Sequence, residues 1–261
     1  MSPSPLFTFI IPTFNPGDKL ARTVESILAQ SEGDVQIRVE DGGSSDQTLE
    51  YLQNRTDLEW QSAPDAGLYD AMNRGIDHAR GAWLAFYGAG DTLSEGALSR
   101  LRPTASTYRD ELAIIYGNTW FCDENRSRGH HYSHLHLRKD MPCHQSTFYQ
   151  RRVFDLVGRY NLRYTINADW AYDIVCWGDA RIRKIYHPSV IARYEGGGIS
   201  ANGTDTVFYD DDQLLLVKQH LGKVAWLMKM VEDPILNHLL RPLKRKVITT
   251  QNKIKAKKGT P

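Results

Sequence analysis

Five polar residues stand just past apolar runs in the first hundred positions: Thr13 and Asn15 after "FTFII", Asp41 after "VQIRV", Asp65 after "LEW" and Asp91 after "AWLAFYG". Carboxylates with an unperturbed pKa of about 3.9 are ionised at neutral pH, and their hard oxygen atoms suit Mg²⁺ or Mn²⁺. Three of them in one crevice repel one another unless a cation or a donor-rich ligand lies between. Asp91 is the barest of the three. Gly88, Ala89 and Gly90 precede it, so a bulky ligand can come close to the backbone, although the same stretch also makes a tight turn. Asp41, ahead of Gly42 and Gly43, equally reads as a turn residue.

The elements that must position these groups are legible as periodicity. "FTFII" reads as a buried strand, and "KLARTVESILAQ" sets Leu20, Val24, Ile27 and Leu28 on one helical face. "VQIRV" alternates into "EDGGSSD", after which Ser45 or Asp46 can cap the helix "QTLEYLQN". "LEW" is a third short strand, "GLYDAMNRGIDHARG" carries Leu68, Met72, Ile76 and Ala79 along an inward stripe, and "AWLAFYG" returns as a fourth strand. Strand and helix thus alternate over residues 6–102, which predicts an α/β fold with a parallel sheet covered by helices. Ligands of such sheets bind beyond the carboxyl ends of the strands, where all five polar residues gather.

The segments "IPTFN", "EDGGSSDQT", "PDAGLYDAMNRGIDHARGAWLAFYGAGD", "CHQSTFYQRRVF" and "GGGIS" together resemble the bacterial family-2 glycosyltransferases of GT-A fold that assemble surface polysaccharides such as capsule, O-antigen or exopolysaccharide. The likeness runs over about residues 6–200. It implies a nucleotide-sugar half at about 1–102, a smaller acceptor-binding half at 103–217, and inverting transfer of one sugar from a nucleotide diphosphate sugar to a saccharide or lipid-linked acceptor, with Mn²⁺ or Mg²⁺ as cofactor. By the same match, Pro12, Thr13, Asn15, Asp41, Asp65, Gly67, Asp70 and Asn73 bind the nucleotide, and Asp91 is the last acid of the metal motif. Gly88 and Ala89 stand where many relatives carry a further Asp or Asn. Metal ligation by the chain therefore rests on Asp91, with water and phosphate oxygens completing the shell.

An inverting transfer needs one carboxylate to take the proton of the incoming hydroxyl. In "YTINADWAYDIVCW" the family position of this base falls on Asp169, with Asp173 one helical turn later on the same face. Ala168 stands where relatives often place a second acid, and "NAD" before "WAYDIV" also reads as a helix start capped by Asp169. His144 and Gln145 match a pair that contacts donor phosphates or acceptor, and "YEGGGIS", residues 194–200, resembles a glycine-rich loop that closes over the donor, with Ser200 in reach of a phosphate. The cluster "HHYSHLH" lacks the Cys or acid that would complete a tetrahedral zinc set, and is expected as an exposed hairpin with His134 and His136 on one strand face.

Charge divides the chain unevenly. Residues 1–217 hold 21 basic against 29 acidic residues, a net −8, whereas residues 218–261 hold 11 against 2, a net +9. The tail mixes Trp226, Leu227, Leu239, Leu240 and Leu243 with its cations, the composition of an amphipathic helix at an anionic membrane surface, though also of a core-packing helix with a solvated basic end. The acidic body disfavours nucleic acid as a partner. Three scattered cysteines and the lack of a basic leader or an 18-residue apolar run lead to the expectation of a cytoplasmic protein, peripheral at the inner membrane face. No G-x-G-x-x-G or G-x-x-x-x-G-K-[ST] pattern occurs, which disfavours a dehydrogenase or a P-loop enzyme. The absence of Q-x-x-R-W and of membrane spans disfavours a processive polymerase. A catalytically degenerate nucleotide-sugar-binding scaffold and, further behind, a sugar nucleotidyltransferase stay as alternatives.

Overall fold

The structure, a computed structural model, describes residues 4–198 and 203–235. Four parallel strands build the first half: β1 (Phe7–Thr13), β2 (Val35–Asp41), β3 (Glu59–Ser62) and β4 (Trp83–Phe86). Between them run α1 (Lys19–Leu28), α2 (Thr48–Gln53) and α3 (Leu68–His78), as the alternating periodicity predicts. The order is β3-β2-β1-β4. The chain thus moves outward from β1 and then crosses back to its other side, which leaves a crevice past the carboxyl ends of β1 and β4.

The second half extends the same sheet. After β5 (Thr92–Leu93) and α4 (Ala97–Thr107) come β6 (Ala113–Phe121), β7 (Arg126–Arg128), the short helix α5 (His134–Leu137), β8 (Thr147–Gln150), α6 (Arg152–Val157), α7 (Ala168–Gly178) and β9 (Arg183–Tyr194). β8 pairs antiparallel to β4 and to β6, β9 runs parallel to β6, and β5 closes antiparallel on β9. The result is a nine-stranded sheet in which β4 and β8 join the two halves. A helical run from Val207 to Leu221, mixing α and π turns, leads into α8 (Gly222–Ile235).

Strands buried on both faces read as mostly apolar runs, and β1 is buried throughout with Thr8 and Thr13 its two polar residues, the Thr8 hydroxyl donating to Gln36 Oε1 at 2.8 Å. Phe7, Phe9 and Ile11 pack with Leu20, Val24 and Ile27 of α1 and with Leu98 and Leu101 of α4. Ile10 points the other way, into a core with Tyr69, Met72 and Ile76 of α3 and Ile174 and Trp177 of α7. α3 lies close enough to β1 that a Cβ on Gly75 would stand 2.4 Å from Ile10 Cγ2. Asp173 of α7 sits in this second core, fully buried. Its Oδ1 accepts the Tyr149 hydroxyl at 2.8 Å, and its Oδ2 has no partner among the described residues. Burial pushes this carboxyl well above the ordinary carboxylate range, with the Tyr149 hydrogen bond opposing and the Asp169 charge adding.

Two outcomes follow from these contacts. Gly75→Ala gains roughly 1 kcal/mol of helix propensity, but overpacking against Ile10 costs about 1–3 kcal/mol, so urea unfolding is expected to show net destabilisation; a more stable variant would mean that α3 stands further from β1. For Asp173, a raised folded-state pKa means the native state holds the extra proton, so this group's contribution to stability declines as pH climbs from the unfolded value near 3.8 towards the folded one. Asp173→Asn removes that decline. Its stability relative to the parent is expected to improve steadily from mildly acidic to alkaline buffer, and a pH-independent difference would contradict the buried neutral carboxyl.

Candidate active site

The crevice past β1 and β4 is assembled from short loops tied to one another. Asn15 adopts a left-handed conformation, φ 47°, which an Asn tolerates when its side chain is satisfied locally. Its Oδ1 accepts the backbone N–H of Ser45 at 2.8 Å, and its own N–H donates to Ser44 Oγ at 2.7 Å. Gly17 N–H and Thr48 N–H both donate to Asp46, at 2.9 and 3.0 Å, so the loop after β2 holds the loop after β1. Pro12, Thr13, Asn15 and Lys19 line a cavity of about 420 Å³ here. The Thr13 hydroxyl in its wall is buried with no partner among the described residues.

Asp91 forms the opposite wall. It is 5% exposed; Oδ2 accepts Gln145 Nε2 at 2.8 Å and Oδ1 accepts Glu195 N–H at 3.0 Å. Burial raises its pKa, opposed by those two hydrogen bonds and by His144. A Cβ on Gly88 would lie 3.1 Å from Asp91 Oδ2, so glycine there makes room for the neighbouring carboxylate as well as for a ligand.

Asp169, in the first turn of α7, stands across the cavity from the β1 loop and is 8% exposed. Its Oδ1 accepts the Tyr69 hydroxyl and its neighbour's Trp170 N–H, both at 2.9 Å, and His144 Nδ1 lies 3.2 Å from Oδ2. Tyr69 is a dependable donor, because burial and the adjacent Asp169 charge hold its hydroxyl proton far above neutrality. Beyond Asp169 opens a second cavity of about 580 Å³, walled by Phe121, His130, Tyr132, Arg126, Arg128 and Met141. The two cavities share His144, Gln145, Ile166, Asp169 and Tyr194, so Asp169 stands where they meet. Asp173 lines neither.

The other residues singled out in the sequence occupy different places. Asp41 is 2% exposed and is used internally: it accepts the N–H groups of Gly43 and Ser44 and the hydroxyls of Ser44 and Ser62. Asp65 accepts Gly67 N–H at 2.9 Å, and Asp70 accepts Ala66 N–H at 3.0 Å and pairs with Arg74 at 2.7 Å, at the start of α3. Asn73 clasps the backbone of Tyr160, with Oδ1 accepting its N–H at 3.0 Å and Nδ2 donating to its carbonyl at 2.9 Å. Asp41, Asp65, Gly67, Asp70 and Asn73 line neither cavity. Ser200 lies outside the described residues. Of the glycine-rich loop, Tyr194, Glu195, Gly196 and Gly198 line the first cavity.

One expectation is corrected. His134 and His136 lie in α5, not on a strand face, because Ser133 caps this turn and its N–H donates to His136 Nδ1 at 3.0 Å. Sequence reading also missed Lys19, Tyr69 and Glu195 in the first cavity. Lys19 carried a usable signal, a cation opening the helix that follows the first strand. Tyr69 carried none, since its partner is a hundred residues away. Cys143, in the wall of the second cavity, donates its thiol to Gln145 Oε1 at 2.8 Å, and burial pushes that thiol up to about 12.

Among the described residues no three His, Cys, Asp or Glu side chains gather where they could hold a metal ion. Asp91 offers one hard-oxygen ligand with two of its roughly four acceptor positions in use. A divalent ion fits beside it only with phosphate oxygens and water completing the shell.

The family model described as "Glycosyl transferase family 2" matches residues 8–169. A PGL/p-HBAD biosynthesis glycosyltransferase of Mycobacterium bovis is 36% identical over 214 residues, covering 78% of this chain and 83% of the relative. The chondroitin synthase of Escherichia coli is 28% identical over 171 residues, covering 60% of this chain but 24% of that larger protein. Among solved structures, S. aureus TarS 1-349 in complex with UDP-GlcNAc superposes with a TM-score of 0.64 at 15% identity, over 82% of this chain and 66% of that one; another structure of S. aureus TarS 1-349 is covered over 64% of its length. These structures share the GT-A type of fold. The matched segment holds both walls of the first cavity and ends on Asp169 itself, and the chain belongs to glycosyl transferase family 2 as a glycosyltransferase.

Proposed function

We propose that the protein is an inverting, non-processive hexosyltransferase that moves one sugar from a nucleotide diphosphate sugar to a hydroxyl of a saccharide or lipid-linked acceptor in bacterial polysaccharide assembly. The observation that carries this reading is the meeting of two cavities at one carboxylate. Inversion requires the incoming hydroxyl and the departing phosphate on opposite sides of the anomeric carbon, and a base on the incoming side. Asp169 stands at that junction. The UDP and UDP-GlcNAc complexes of TarS support a nucleotide sugar as donor.

In this reading the donor lies in the first cavity, its nucleotide towards Pro12, Thr13 and Asn15 and its diphosphate towards Asp91 and Lys19. Asp41, Asp65, Gly67 and Asp70 belong to the nucleotide side of the site by shaping its loops, and Asn73 belongs to it by fixing α3 against the Tyr160 backbone. The acceptor enters from the second cavity, whose aromatic walls suit the apolar faces of sugar rings. Asp169 takes the hydroxyl proton as the new oxygen–carbon bond forms, while the bond from C1 to the phosphate oxygen breaks and the diphosphate leaves with the electron pair. Tyr69 and His144 hold Asp169 in place, so little reorganisation is left for the reaction itself. Asp91 would hold a Mn²⁺ or Mg²⁺ ion, which when bound would supply charge neutralisation for the leaving diphosphate. Gln145, the partner of Asp91, and Ser200 of the glycine-rich loop complete the phosphate side. The protein works in the cytoplasm, peripheral to the inner face of the membrane through residues 218–261.

Asp169→Asn is expected to lower kcat by about 10²–10⁴-fold with the affinity for nucleotide diphosphate retained in calorimetry. Transfer at the parent rate would remove Asp169 from the role of base. Asp91→Asn is expected to weaken nucleotide binding in the presence of Mn²⁺, and chelation to stop turnover until Mn²⁺ or Mg²⁺ is restored. Nucleotide binding without turnover of any donor in a panel of labelled nucleotide sugars would instead favour the scaffold reading.

A further inference from the structure

α8 has two faces of different character. Leu221, just ahead of it, Ala225 and Lys229 are buried against the rest of the chain, and Glu232 holds the Arg138 guanidinium. On a neighbouring, solvent-facing side Val224, Leu227, Met228 and Val231 are 65%, 55%, 37% and 62% exposed. Steps of three and four residues put them in one stripe. Leu135 of α5 is a further exposed apolar residue, 40% exposed, on the short helix that Arg138 ties to Glu232 of α8. Exposed large apolar side chains scattered singly need no explanation, but five along one helix and its neighbour do. Lys139 and Lys223 are exposed beside them, and residues 236–261 continue with eight Lys and Arg and no Asp or Glu.

We infer that α8 and α5 form a docking face for an anionic phospholipid bilayer, the apolar stripe entering the headgroup region and the flanking cations meeting the lipid charge. Charge complementarity selects this occupant. In sequence the stripe falls within a segment, residues 218–261, of net +9, whereas residues 1–217 are net −8, so an anionic surface attracts the segment that carries the stripe and repels the rest of the chain. A nucleic acid has no use for the apolar stripe, and a second copy of the chain would bring like charges together. The face also borders the second cavity: α5 is flanked in sequence by His130 and Tyr132 on one side and Asp140 to Cys143 on the other, and these line it. Docking therefore brings the acceptor entrance beside the lipid surface. This goes deeper into the proposed membrane contact by naming the face, and its last step rests on the proposed acceptor side.

The test is co-sedimentation of the full chain with vesicles of phosphatidylglycerol and phosphatidylethanolamine, against phosphatidylcholine vesicles. The parent is expected to bind the anionic vesicles selectively, more weakly as salt rises. The double variant Leu227→Ser, Val231→Ser, with circular dichroism and thermal unfolding unchanged, is expected to bind them at least about tenfold more weakly. Parent-like vesicle binding by that variant would overturn the inference, as would equal binding of the parent to both vesicle types. A dimeric parent that this variant converts to monomer in light scattering would overturn it too, by giving the stripe to a second copy. Donor hydrolysis measured in the same preparations without vesicles reports separately on the transferase reading.

Discussion

The buried carboxylate of Asp91 is the point at which the two halves of the molecule are closed onto one site. It follows β4, takes a side-chain hydrogen bond from Gln145 at the entry to β8, and takes a backbone hydrogen bond from Glu195 at the exit of β9. Each bond joins segments more than fifty residues apart, and all three segments line the first cavity. A carboxylate 5% exposed bears a desolvation cost that two neutral hydrogen bonds only partly offset, which is why its pKa moves up. A cation and phosphates in that cavity would restore what burial removes. The same side chain thus serves as a structural tie and as a buried acid in the wall of the first cavity.

The acceptor side is held by a different set of bonds with the same logic. Tyr69 opens α3 in the nucleotide half, yet its hydroxyl reaches Asp169 on α7, and Asn73 one turn later clasps the Tyr160 backbone. α3 therefore sets the position of Asp169 relative to the crevice at β1. His144 approaches Asp169 from the third side, out of the segment that also supplies Gln145. The loops after β1 and β2, Asp169 and Asp91 are each held by short contacts within the site, the condition under which a reaction there would need little rearrangement.

Much of this frame could be read in the chain. The alternation of "FTFII", "VQIRV", "LEW" and "AWLAFYG" with amphipathic helices marks the parallel half, because strands buried on both faces and helices buried on one leave different periods. Asp91 stands out because neighbouring residues mark a strand end, whereas Asp169 is singled out by the family resemblance, its own neighbours marking a helix start. What could not be read depends on distant partners. Asp41 looks like any other acid at a strand end, and only the hydroxyls of Ser44 and Ser62 show that it organises its own loop. Tyr69 reads as a core aromatic on a helical stripe until α7 is placed beside it. His136 reads as part of a histidine cluster until the Ser133 cap turns the chain into α5. The pairing of β6 with β9, sixty residues apart, has no local signature.

The central claim is that a diphosphate is seated between the β1 loop and Asp91, in front of Asp169. Diffusing UDP and Mn²⁺ into crystals of the protein addresses it directly. The account predicts anomalous Mn²⁺ density next to Asp91, bridged to both phosphates, with the nucleoside along Pro12 to Asn15. Density for the diphosphate in the second cavity, or with Asp91 still bonded only to Gln145 and Glu195 and no ion beside it, would contradict it.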